Sequence, residues 1–228
     1  MIEKPGASQR PAFLWWGVVG LAAQVAFMAG WLIPETWQGP RYDPIRYTIS
    51  DLQAATAPHI WFPITCFAIG GVGSCAFVVF GLRPALARAG RKDAYSLWML
   101  ALATLALGNS FPLIPFRLID PGATAARQLH TAGGLTDALV SGIAFLVLVL
   151  TAIPLGRRLA LLPEWRRLAA LTKVVRVLGL ACYIALGISS SAGGAYQGLL
   201  ERMLVCVCVA WLAALGVGLI RNADESSA

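Results

Sequence analysis

The sequence predicts an all-α fold: a polytopic membrane protein, a bundle of six transmembrane helices with both termini cytoplasmic. Three observations predict it. Hydrophobic residues make up 58% of the 228 residues and charged residues only 13%, too few charges to clothe a soluble domain of this length. Six segments reach the apolar length of about 20 residues that a spanning helix needs, and none contains Lys, Arg, Asp or Glu. The Lys and Arg residues between them fall mostly on one side. Helices are required because lipid offers no partner to a bare backbone, and no period-two alternation suggests a barrel.

The first span, Pro11–Ile33, is longer than a signal peptide's apolar region of about 7–15 residues, and no A-x-A site follows it, so it reads as a retained anchor. A polar outer loop, Pro34–His59, leads to the second span, Ile60–Leu82. In the loop, "SDLQ" at Ser50–Gln53 matches a capping box and predicts an interfacial helix over residues 50–58, stopped by Pro58. The third span, Ala94–Phe116, is interrupted near its end by Pro112 and Pro115. The fourth is Ala138–Gly156. The stretch "EWRRLAALTKVVR" at Glu164–Arg176 reads as a solvated connector or a basic amphipathic helix on the membrane surface. The fifth and sixth spans, Val177–Leu200 and Met203–Ile220, are separated only by Glu201–Arg202. The whole chain, 1–228, reads as a single membrane domain.

With the N-terminus inside, thirteen of the eighteen Lys and Arg residues are inside and the outside keeps Arg41, Arg46, Arg117, Arg127 and Arg202. The inner side then carries net +8 and the outer side net −1. The excess of positive charge is thus explained by topology and contact with anionic lipid, and calls for no nucleic acid. Trp31, Trp37 and Trp61 fall at the outer interface and Trp15, Trp16, Trp98 and Trp165 near the inner one, as an aromatic belt would. All five cysteines lie in spans without metal spacing and read as packing residues.

Polar residues gather on the outer side. "RYDPIRYTISDLQAATAPHIW" supplies Tyr42, Arg46, Ser50, Asp51 and His59. "HTAGGLTD" sets His130 and Asp137 two helical turns apart, roughly 10 Å along one face. A carboxylate within a span costs on the order of 2.5–3.5 kcal/mol, so Asp137 needs a partner such as Arg46, Arg117 or Arg202. Glu201 near a helix N-terminus is favoured by the dipole, and Asn109 and Ser110 lie at similar depth. An acyl-transfer site would use His130 or His59 as base and Asp51 or Asp137 as orienter; no Ser or Cys nucleophile declares itself by context, and Ser50 is a further catalytic candidate. A binding site would use arginines to hold a phosphate. There is no HExxH or similar spacing, and no metal or other cofactor is expected.

The motifs "YDPIRYTISDL", "GNSFPLIPFRLIDPG…H" and "GLLERMLVCVCVAW" resemble the DUF 998 family, bacterial six-helix membrane proteins of unknown function. The resemblance covers about Trp15–Ile220. It places the family's polar pattern on Tyr42, Ile49, Ser50, Asp51, Asp120, His130, Glu201 and Arg202. Gln53 stands where glycine is more usual in the family, which favours a capped helix over a flexible turn. The "ISD" segment is also similar to FRAG/DRAM/SFK-type membrane proteins, linked to lipid remodelling.

Together these readings predict a bacterial inner-membrane protein whose outer polar cluster binds a lipid headgroup or small polar ligand, for lipid handling, transport or sensing. Tyr42, Arg46, Asp51, His59, Arg117, Asp120, His130, Asp137, Glu201 and Arg202 are its candidate contacts. The alternatives are an intramembrane lipid-modifying enzyme using His130, Asp137, Asp51 and Ser50, and a structural or accessory subunit. Membrane lipids are the expected partners, with a homo-oligomer or membrane-protein partner left open.

Overall fold

Long apolar stretches become long helices, even across an internal proline such as Pro154. The computed structural model describes residues 10–54, 57–108 and 132–225. Among these residues all regular structure is helical. The helices are α1 (Arg10–Glu35), α2 (Trp61–Ala85), α3 (Tyr95–Leu107), α4 (Ala132–Ala160), α5 (Arg166–Ser191) and α6 (Gln197–Glu225). Five are long and apolar enough to cross a membrane; α3 is described only over a shorter apolar stretch. The chain is therefore a multi-pass membrane helical bundle.

Each helix packs mainly on its neighbours in sequence, and α6 closes the set against α1. The result is an up-and-down ring whose centre is filled by Phe67, Phe77, Leu100, Leu148, Leu204 and Trp211. The outward positions are apolar and exposed, Val25, Leu102 and Ile143 among them, as a lipid-facing surface requires. Glycines set the closest approaches: a Cβ on Gly71 would lie 2.7 Å from Cα of Gly108, so α2 and the end of α3 meet backbone to backbone. Pro84 lacks the N–H an α-helical turn would use, and the last turns of α2, Phe77–Leu82, are π-helical.

Several elements differ from the sequence expectation. Glu164–Arg176 forms no separate surface helix: from Arg166 onward it is the first half of α5, because "RRLAALTKVVRVLG" holds no breaker before Gly179. The helix ends where the backbone turns left-handed, at Gly193 (φ 93°) and Gly194 (φ 75°), with the Gly194 N–H donating to Ser189 O at 2.7 Å. Gln197–Leu200, expected in the fifth span, therefore opens α6. The fourth helix is already formed at Ala132, ahead of Ala138, and accommodates Asp137 inside it. Trp31 and Trp165, expected at the interfaces, are buried, whereas Trp15, Trp61 and Trp98 are exposed.

The expected helix over residues 50–58 is a single 3-10 turn, Ser50–Gln53, followed by extended Ala54. The capping pair is also shifted by two residues. Thr48 Oγ1 accepts from Asp51 N–H (3.3 Å) while Asp51 Oδ2 accepts from Thr48 N–H (2.8 Å), so the box is "TISD" and Ser50 and Gln53 make no reciprocal cap. The shorter Asp51 side chain closes the exchange tightly, and the Thr48 hydroxyl adds a bond to the same oxygen at 3.0 Å.

Candidate functional site: the loop end of the bundle

The loop between α1 and α2 has almost no regular structure, so its backbone groups need other partners. The first two turns of α6 supply many of them. Arg202 Nη1 donates to Pro44 O and Tyr47 O, both at 2.8 Å, and to Gly198 O at 2.9 Å. Glu201 Oε2 accepts from Ile49 N–H at 2.7 Å, and Leu199 N–H donates to Ile45 O at 3.0 Å. The segment "GLLER" thus receives the loop from Pro44 to Ile49, with the arginine on carbonyls and the glutamate on an amide. Gly198 is required by this docking, because a Cβ there would overlap Tyr47 O and Pro44 O.

The other edge of Arg202 meets the end of α1. Nε donates to Glu35 Oε1 at 2.7 Å, Nη2 lies 2.6 Å from the same oxygen, and Nη2 donates to the Tyr42 hydroxyl at 2.5 Å. The Tyr42 hydroxyl in turn donates to Glu35 Oε1 at 3.4 Å. Burial pushes the Tyr42 phenol above its ordinary value, so it keeps the proton it donates. The guanidinium also lies 5.7 Å from the centroid of Trp31. Both charges sit at the unfavourable ends of their own helices, Glu35 at a C-terminus and Arg202 near an N-terminus, and each offsets the other.

Beneath the loop, α4, α5 and α6 separate to leave a cavity of about 280 Å³. It exists because the facing residues are small: Ser141 and Gly142 on α4 stand opposite Gly187 and Ser190 on α5, and a Cβ on Gly187 would touch nothing. The buried positions of α5, Ala169, Thr172, Val175 and Gly179, stop at Gly179, twelve residues before the helix ends at Ser191. Asp137, Glu201, Ser50 and Gln197 line the same space, with Phe145 and Leu186 as apolar wall. Asp137 Oδ1 accepts from the Ser141 hydroxyl at 3.3 Å. Glu201 is 7% exposed, and among the described residues the Ile49 amide is its hydrogen-bond donor. Deeper in the ring a small void is edged by Gln24, whose Nε2 donates to Ser74 Oγ at 2.8 Å.

The candidate residues therefore divide. Ser50, Asp137 and Glu201 share the cavity. Tyr42, Asp51 and Arg202 hold the loop rather than line the space. Arg46 is exposed, and exposed His59 packs edge-on against Trp37 at 5.3 Å. Arg117, Asp120, His130, Asn109 and Ser110 lie outside the described residues. Among the described residues no group of three His, Cys, Asp or Glu side chains could hold a metal ion. Sequence reasoning missed Glu35, Ser141, Ser190 and Gln197. Glu35 carried a signal, since an acid closing a helix C-terminus demands a cation; the others became visible only when α4, α5 and α6 were brought together.

A family model described as "Protein of unknown function (DUF998)" matches residues 11–218. No curated protein and no solved structure matches the chain. The chain belongs to the DUF998 family.

Proposed function

For this DUF998 protein we propose binding of a donor-rich polar ligand in the cavity between α4, α5 and α6, with the loop as its cover. The ligand class is an amine- or hydroxyl-bearing group, on a lipid or on a free small molecule. The observation that carries this reading is the lining: Glu201 and Asp137 face one space together with Ser50, Ser141, Ser190 and Gln197. Carboxylates and hydroxyls complement N–H and O–H donors and repel phosphate. Arg202, the natural phosphate ligand, spends its N–H groups on Glu35, Tyr42 and three carbonyls. A volume of about 280 Å³ suits a headgroup or metabolite of modest size.

The excess of Lys and Arg at the opposite end supports an orientation with the cavity outside and both termini in the cytoplasm. The setting proposed is the bacterial inner membrane, and lipid handling, transport or sensing are the roles such a cavity serves. A structural reading is favoured by one observation, the saturation of Arg202, which locks α1, the loop and α6 into one unit.

Molecules that co-purify with the protein, identified by mass spectrometry, separate the two. The binding reading expects wild type to retain an amine- or hydroxyl-bearing species that Glu201→Gln and Asp137→Asn release while still folded. If both variants retain the same species as wild type, the structural reading stands.

A further inference from the structure

At the end of the bundle opposite the loop, the start of α5 and the end of α6 form a second cleft, of about 590 Å³. Its α6 wall is a single stripe: Ala214, Val217, Gly218 and Arg221 recur at three- and four-residue spacing, so they lie on one face. The stripe runs from apolar to cationic over roughly 10 Å. The α5 side supplies Leu168 and Arg167, with Glu164 just before the helix. Trp165 and Leu168 reach Gly218 closely enough that a Cβ there would overlap Leu168, which makes a firm apolar floor.

The charge at this cleft is positive. Glu164 is held by Arg88 at 2.6 Å, and among the described residues neither Arg167 nor Arg221 forms an ion pair. Both arginines are exposed, as is Val217. Two guanidinium groups at the end of an apolar groove match an amphiphile with an anionic head: the phosphate takes paired N–H donors and an acyl chain follows Val217 and Ala214 inward. A free phosphate would use the arginines and leave the groove empty.

We infer that the α5–α6 cleft is a binding site for an anionic phospholipid, with Arg167 and Arg221 on its phosphate and Ala214, Val217 and Leu168 against its acyl chain. The site is independent of the cavity under the loop.

Full-length protein in detergent, titrated separately with dioleoylphosphatidylglycerol, dioleoylphosphatidylcholine and inorganic phosphate and read by native mass spectrometry, tests it. Arg167→Gln/Arg221→Gln should weaken phosphatidylglycerol binding roughly tenfold or more, whereas the charge-matched Arg91→Gln/Lys92→Gln should change it by less than about twofold. Phosphatidylcholine should bind more weakly to wild type and be little affected by either change. The inference is overturned if both double variants lose binding equally, if the cleft variant keeps it, or if inorganic phosphate displaces the lipid. It is equally overturned if the cleft variant dissociates a dimer and wild-type monomers bind no lipid there, since a second copy would then be the occupant.

Discussion

Each end of the bundle is closed by a buried arginine, yet the two ends are built for different purposes. At the basic end Arg158 gathers the α2–α3 connection through Leu86 O (2.6 Å), Gly90 O (2.7 Å) and Lys92 O (2.9 Å). At the loop end Arg202 also gathers backbone carbonyls, through Nη1, but its other two nitrogens, Nε and Nη2, go to Glu35 and Tyr42. Arg158 is the more buried, 3% exposed against 9%. Its bonded acceptors are neutral, though, so it serves as a clasp. Glu201, next to Arg202 in the chain, and Asp51 take loop amides instead, and Glu201 and Asp137 line the cavity. An arginine on carbonyls fastens a turn; an arginine that also meets a carboxylate of another helix ties that helix to the turn.

The comparison breaks most readily at Arg202. Arg202→Ala strands Glu35 and uncovers loop carbonyls, and should destabilise by about 3 kcal/mol, read as a lowered melting temperature in detergent. Arg202→Lys should recover little, because three ammonium protons cannot span Glu35, Tyr42 and three carbonyls. Gly198→Ala forces Pro44 and Tyr47 off the helix and should cost about 2 kcal/mol. Arg158→Ala, despite its deeper burial, should cost less than Arg202→Ala, about 1–2 kcal/mol, since it leaves carbonyls and no stranded charge. Equal losses at the two arginines would erase the distinction drawn between the ends.

Smaller effects sharpen it. Asp51→Ala removes the reciprocal cap with Thr48 and should cost about 1 kcal/mol, while Ser50→Ala, at the position outside the cap, should be near neutral in stability. Tyr42 has its phenol pushed up by burial. Its share of stability is complete below the unfolded tyrosine value of about 10 and declines as pH rises beyond it. A pH series of melting temperatures should therefore show a steeper alkaline decline in wild type than in Tyr42→Phe.

Much of this architecture was legible beforehand because hydropathy reports spans directly. The register of the loop was not. "TISDLQ" holds two overlapping capping patterns, and only docking on α6 selects Thr48–Asp51 over Ser50–Gln53. The start of α5 was hidden by its basic residues, which break a hydropathy window without breaking a helix. The polar residues at the loop end were visible as a group, but their division was not: spacing along the chain does not say that Arg202 faces Glu35 while Glu201, its neighbour, faces the cavity. That split follows from successive residues on a helix pointing about 100° apart.

The central claim is that the carboxylates under the loop select hydrogen-bond donors. Phosphatidylethanolamine and phosphatidylcholine carry the same charge and differ in the N–H donors of the head, so their relative binding to purified protein, measured by native mass spectrometry, isolates that property. Wild type should prefer phosphatidylethanolamine by roughly tenfold, the scale of one well-made charged hydrogen bond, and Glu201→Gln/Asp137→Asn should lose the preference while Arg158→Ala keeps it. Equal binding of the two lipids by wild type, or a preference that survives the double substitution, would contradict the account.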